Sequence, residues 1–230
     1  RTKVTKADIV AVGYRKKQLD VFARLLDDTA YFDTWRERLG TTPEGLWQRF
    51  FEKNTWMFGY GLGYLFLSAL DDAKLEQAVQ GASLVGYGKR ADGVMKTQGA
   101  VSHLCFIEIK RHDTPLLAPK EYRAGCWAPS TELTGAVAQV QGTVHAAVQT
   151  IGTRFRGIDS IGNPTGEEAF NVQPKSFLVV GDLRQFKGEH GINETQVKSF
   201  ELFRRGTSSP EIITFDELYE RARFIVNHNG

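Results

Sequence analysis

Three side chains near the middle of the chain have the types and spacing that phosphodiester hydrolysis requires. In the run Phe106-Ile107-Glu108-Ile109-Lys110, the period of two in a β-strand sends Glu108 and Lys110 to one face and Ile107 and Ile109 to the other. A carboxylate and an ammonium then share a face, and the isoleucines enter a core. A second carboxylate, Asp92, opens a strand-like stretch that reaches the same run through Gln98-Gly99-Ala100. A turn centred on Gly99-Ala100 makes a β-hairpin whose antiparallel register sets Asp92 opposite Glu108.

Two carboxylates facing each other on a sheet repel unless a cation or a neighbouring lysine offsets them. A divalent ion on hard oxygen ligands can both activate a water and neutralise charge growing on a phosphate. The expectation is therefore Mg2+ or Mn2+ held by Asp92 and Glu108. Lys110 would either orient the attacking water or stabilise the developing negative charge. Glu-x-Lys alone arises by chance about once in a chain of this size. It carries weight only together with the aspartate, the apolar residues before it and the helix that follows.

The elements that must position these residues follow from periodicity and punctuation. Apolar residues from Ala7 to about Asp28 recur at helical intervals, with a break expected near Gly13. Thr42 as cap and Pro43 at the first helical position start a second helix, buried through Leu46, Trp47, Phe50 and Phe51 and ending at Asn54. The glycines of 59–63 and 86–89 lack the context of a nucleotide-binding loop and read as turn or strand glycines. Residues 111–129 read as an irregular connection, and Ser130 caps a helix over 132–151.

Gly152 to Pro174 is predicted to be a surface loop, Ser176 to Val180 a strand covered on both faces, and Phe200 to Arg204 a weaker strand. A last helix begins after Thr214. The sum is a mixed α/β fold with an N-terminal helical segment over 1–40 and a catalytic domain over 41–230.

Composition narrows the class. Of 230 residues, 41% are hydrophobic and 24% charged, which is ordinary globular usage. No stretch approaches the roughly 20 apolar residues of a membrane span, and no signal peptide is evident, so a cytoplasmic protein without a membrane partner is expected. A net charge of +2 leaves any nucleic-acid affinity to local patches. Cys105 and Cys126 suggest neither zinc nor a disulfide. The start at Arg1 reads as a domain cut from a longer chain, with an upstream regulatory region to be expected.

Arg90-Ala91-Asp92-Gly93, the hairpin into Ile107-Glu108-Ile109-Lys110, and Glu132-Leu133-Thr134-Gly135-Ala136-Val137-Ala138-Gln139 together resemble the Shedu anti-phage defence nucleases of the PD-(D/E)XK superfamily. Phe50 to Asn54, Phe177 to Gly181 and Thr214 to Ala222 extend the similarity over most of the chain. The resemblance implies a restriction-endonuclease-like mixed sheet flanked by helices, divalent-metal cleavage of double-stranded DNA in bacterial defence, and assembly into a homo-oligomer, dimer or tetramer. It makes Asp92 and Glu108 metal ligands and Lys110 the catalytic lysine. It adds Gln139, with Gln141 as its alternative, as a helix-borne glutamine orienting water or substrate, and Glu52 as a further acid.

Ala91 stands where many members of the superfamily carry proline, but it bears no reactive group. Arg154, Arg156, Lys120 and Arg123 are candidate phosphate contacts on loops, and His112 and Asp113 leave the strand beside the site. A competing expectation is a catalytically silent nucleic-acid-binding or oligomerisation module of the same fold. A nuclease acting on RNA is a third.

Overall fold

The computed structural model of the chain describes residues 6–59, 63–66, 93–158 and 161–228. The N-terminal helical pattern forms α1 (Lys6–Asp27), which runs through Gly13 without a break. A helix-interior glycine costs only about 1 kcal/mol relative to alanine, less than a long packed face recovers. A helix not foreseen from periodicity, α2 (Thr29–Arg38), follows at once, capped by Asp28, whose carboxylate accepts from the Tyr31 N–H at 2.9 Å. Helix α3 (Pro43–Glu52) begins as predicted: Thr42 Oγ1 accepts from the Gly45 N–H at 3.0 Å, and Leu46, Trp47, Phe50 and Phe51 are buried.

The sheet is mixed and six-stranded. Strands β1 (Gly63–Phe66), β2 (Gly93–Gln98) and β3 (His103–Ile109) form an antiparallel meander. After α4 (Thr131–Ile151), β4 (Arg154–Ile158) and β5 (Pro164–Val179) add the far side, with β5 parallel to β3 and antiparallel to β4. A small two-stranded ribbon, β6 (Lys187–Gly188) and β7 (Gly191–Ile192), leads to α5 (Glu194–Gly206). Strand β8 (Glu211–Ile213) then pairs in parallel with the end of β5, and α6 (Phe215–His228) closes the fold.

Side-chain alternation along β3 and β5 divides the interior. Cys105, Ile107, Ile109, Phe177 and Val179 face a core built with α1, α2, α3 and α6. Leu178 and Val180 face the opposite way, onto Leu133, Ala136, Val137 and Val140 of α4 and Phe200 of α5. Leu104 and Phe106 continue that second face toward Ala147 and Phe155. Strand β5 is thus covered on both sides over 177–180, as its unbroken apolar run predicts.

Two expectations are corrected. The described residues of 152–174 form not a loop but chiefly β4 and the larger part of β5. The segment's glycines and polar residues belong to a hairpin at the sheet edge, where Lys96 pairs with Glu167 at 2.7 Å and Arg154 with Glu168. Gln173 takes a left-handed φ of 45° close to where β5 passes from Phe170 to Lys175 between its pairings with His103 and Cys105 of β3. Residues 200–204 are helical within α5, where Phe200 and Phe203 fall on one face and Asn193 caps by accepting from the Gln196 N–H at 3.2 Å.

The first core centres on an aromatic cluster. Trp47 is fully buried, stacked on Phe51 at 5.7 Å, with Phe22 at 5.5 Å and Phe215 at 4.7 Å between ring centroids. Its indole N–H donates to His112 Nδ1 at 3.1 Å, a bond that requires neutral imidazole. Burial, chiefly, holds His112 below its ordinary pKa.

Truncation at this centre should be costly: Trp47→Ala is expected to lose about 3–5 kcal/mol in chemical denaturation. The histidine sets a pH dependence. Its folded pKa lies below the unfolded value, so the unfolded chain takes up the proton first. Its stabilisation is present above about pH 6.5 and declines as pH falls from there through the folded pKa. Thermal melts at about pH 7.5 and about pH 5.5 should show a loss in wild type that is smaller in His112→Gln.

Candidate active site

Strand β3 ends with its pairing intact, since the Lys110 N–H donates to Val179 O at 2.8 Å and Glu108 lies beside Leu178. Alternation puts Glu108 on the face of Leu104 and Phe106, the side covered by α4. Only 3% of its side-chain surface reaches solvent. Lys110 lies on the same face, and its Nζ donates to Glu108 Oε1 at 2.5 Å and to Gln139 Oε1 at 3.1 Å. A carboxylate withdrawn from water costs several kcal/mol unless a counter-charge and hydrogen bonds offset it, and here the ammonium provides both.

Helix α4 delivers the glutamine. Ser130 caps it, accepting from the Leu133 N–H at 2.9 Å and donating to Pro115 O at 2.6 Å. The buried stripe Leu133, Ala136, Val137, Val140 fixes the helix's rotation. Gln139 then points to Lys110, while Gln141 is turned away and donates to Ser209 O at 2.8 Å.

Lys110 and Gln139 open onto a cleft of about 580 Å³ that is also lined by Glu44, Arg111, Asp113 and Glu132. Arg111 grips Asp113 through Nε at 2.8 Å and Nη2 at 2.5 Å. Burial pushes the Asp113 carboxyl up, but the guanidinium prevails and holds it below the ordinary range. Glu44 was not singled out by sequence. Its place in the first turn after Thr42-Pro43 reads as a partner of the helix dipole, and nothing local says that this turn abuts the end of β3.

Glu52 is not brought to this cleft. It ends α3, about 12 Å along the axis from Glu44, and its interacting neighbours are Arg49, Lys53 and Gln48. Partial burial raises its carboxyl, and the two cations oppose the rise. The acid of α3 that reaches the cleft is Glu44.

Asp92 lies outside the described residues, as do Gly61 and the whole of 86–89. Pairing between β2 and β3 runs from Lys96↔Leu104 to Gly93↔Ile107, the register predicted for a turn at Gly99-Ala100. Among the described residues, no group of three or more His, Cys, Asp or Glu side chains is placed to hold a metal ion.

The remaining candidates separate. Arg154 and Arg156 sit on β4 rather than on a loop, and Arg154 is committed to Glu168. Lys120 and Arg123 are exposed within 111–129. His112 belongs to the aromatic core, and Cys105 is a buried small hydrophobe whose thiol is pushed up to about 12 by burial. Among the described residues no helix is long and apolar enough to cross a membrane.

Comparison with known proteins agrees with this layout. Residues 41–219 match the family model described as Shedu protein SduA, C-terminal. The Shedu protein SduA of Bacillus cereus (strain B4264) is 26% identical over 212 residues, covering 91% of this chain and 52% of the relative. The chain therefore spans about half the length of that curated relative, and α1 and α2 precede the matched span. Since the match takes in every strand of the mixed sheet and the Glu108, Lys110 and Gln139 cluster, this chain belongs to the Shedu SduA C-terminal family.

Proposed function

We propose that this chain is a nuclease domain of bacterial anti-phage defence that hydrolyses phosphodiester bonds of double-stranded DNA with the help of Mg2+ or Mn2+. The observation that carries the reading is a buried carboxylate at the end of an inner strand, paired with a lysine that a helix-borne glutamine also holds. A purely structural role is a poor explanation, because an apolar pair at these positions would spare the desolvation cost. Buried, paired charges beside a cleft are a common mark of chemistry.

The donor set suits a hard cation as far as it is described: Glu108 offers carboxylate oxygen, and Asp92 would complete the pair if the β2–β3 register continued by one residue. Such an ion, when bound, would lower the pKa of a coordinated water and neutralise charge on the phosphate. Lys110 has two acceptors, so it can yield the Glu108 oxygen and stay anchored on Gln139. From there its ammonium reaches toward the cleft, where a phosphate oxygen or the attacking water would accept its proton in a hydrogen bond. Gln139 thereby orients the lysine. Homo-oligomeric assembly is part of the same proposal and rests on the family resemblance.

The silent-module alternative draws on one observation, the lack of a three-acid cluster among the described residues. Tight metal-free DNA binding with no product in any divalent cation would favour it.

With supercoiled plasmid and Mg2+ or Mn2+, Glu108→Gln and Lys110→Ala are each expected to lower the cleavage rate by on the order of 100-fold or more. Equal cutting by wild type and Lys110→Ala would sink the mechanism. The two glutamines should part company: Gln139→Ala is expected to slow cleavage by about tenfold through a misplaced lysine, and Gln141→Ala to remain close to wild type.

A further inference from the structure

Residues 111–129 are irregular in sequence, yet part of them is built as a two-stranded arm. Its base is paired, with the Ser130 N–H donating to Leu116 O at 3.1 Å, the Ala118 N–H to Ala128 O at 2.9 Å, and a bridge joining Leu117 and Pro129. Its tip is paired too, with the Tyr122 N–H on Cys126 O at 3.0 Å and the Cys126 N–H on Arg123 O at 2.8 Å. Gly125, at φ 68°, takes the position of that tight turn that favours glycine.

The base is fixed to the body. Leu116 and Leu117 are buried in the second core, Trp127 packs against it, and the Trp127 N–H donates to Ser199 Oγ on α5 at 3.1 Å. Pro115 and Thr131, the residues flanking the base, line the same cleft as Lys110. The arm therefore leaves and rejoins the fold on the rim of the candidate active site. Its tip is aromatic with two cations and one acid: Lys120, Glu121 and Arg123 are exposed, Tyr122 is 72% exposed, and the Arg123 guanidinium lies 5.6 Å from the Tyr122 ring.

We propose that this arm binds nucleic acid, Tyr122 stacking on an unpaired base while Lys120 and Arg123 contact the flanking phosphates. An exposed ring backed by a guanidinium presents a flat apolar face beside positive charge, the combination that grips single strands without regard to sequence. Bases within a duplex are already stacked on their neighbours and offer such a ring no face. The arm thus selects unpaired nucleotides at the cleft rim. The inference rests on the nuclease reading above and names a substrate feature for it.

Fluorescence anisotropy without divalent cation tests it, using a labelled single-stranded oligonucleotide and the matched duplex. Tyr122→Ala should weaken single-strand binding about tenfold, and duplex binding less, with Tyr122→Phe close to wild type. The Lys120→Ala/Arg123→Ala variant should flatten the salt dependence by about one log unit of slope per lost contact. Unchanged single-strand affinity in Tyr122→Ala, or an unchanged slope in the double variant, overturns the arm proposal. The nuclease reading still stands in that case if Glu108→Gln abolishes cleavage. Wild type that binds neither polymer likewise overturns the arm proposal, and plasmid cleavage with Mg2+ or Mn2+ decides the nuclease reading separately. The exposed positions should leave the melting temperature unaltered, so lost binding is not lost folding.

Discussion

The burial of one negative charge organises this fold. Glu108 sits where its strand neighbours Leu104 and Phe106 are core residues, and a carboxylate there is offset by Lys110, which Gln139 of α4 holds in turn. The lysine reaches back two residues along its own chain, which any strand geometry permits. The glutamine must come from elsewhere, and its arrival depends on the cap at Ser130 and on the rotation set by the stripe of α4. Packing that looks purely structural thus fixes where a proton donor can point.

Much of this was legible in sequence because the decisive features are local or periodic. The hairpin register followed from the position of Gly99-Ala100, and the shared face of Glu108 and Lys110 from the pleat. The α3 cap followed from Thr42-Pro43, and the two-sided burial of β5 from an unbroken apolar run. The geometry also separates Gln139 from Gln141, which periodicity alone left open: two residues apart on a helix, they point about 200° apart, and only one reaches Lys110.

What could not be read depends on partners distant in sequence. The edge hairpin of β4 and β5 looks like a loop because its polar residues are matched across strands, by Lys96 with Glu167 and Arg154 with Glu168, rather than buried. Phe200 to Arg204 has strand-like composition but answers to a cap at Asn193 and a core contact from α5. Glu44 and Glu52 are both acids of α3, and only the way that helix lies against β3 decides which end meets the cleft. Helices α1 and α2 precede the span shared with the family model, yet Leu19, Phe22, Leu25 and Phe32 stand in the same core as Trp47. Part of the segment 1–40 therefore packs into the same core as the matched span.

The end of β5 and the residue after it serve both cores at once: Phe177 and Val179 look one way, Leu178 and Val180 the other. A backbone shift there cannot relieve crowding on one side without opening space on the other. The two halves of the molecule should consequently melt as a single cooperative unit, and the cleft at the end of β3 inherits the rigidity of its neighbour. Thermal fluctuation at Lys110 is thereby restrained by residues that never approach it.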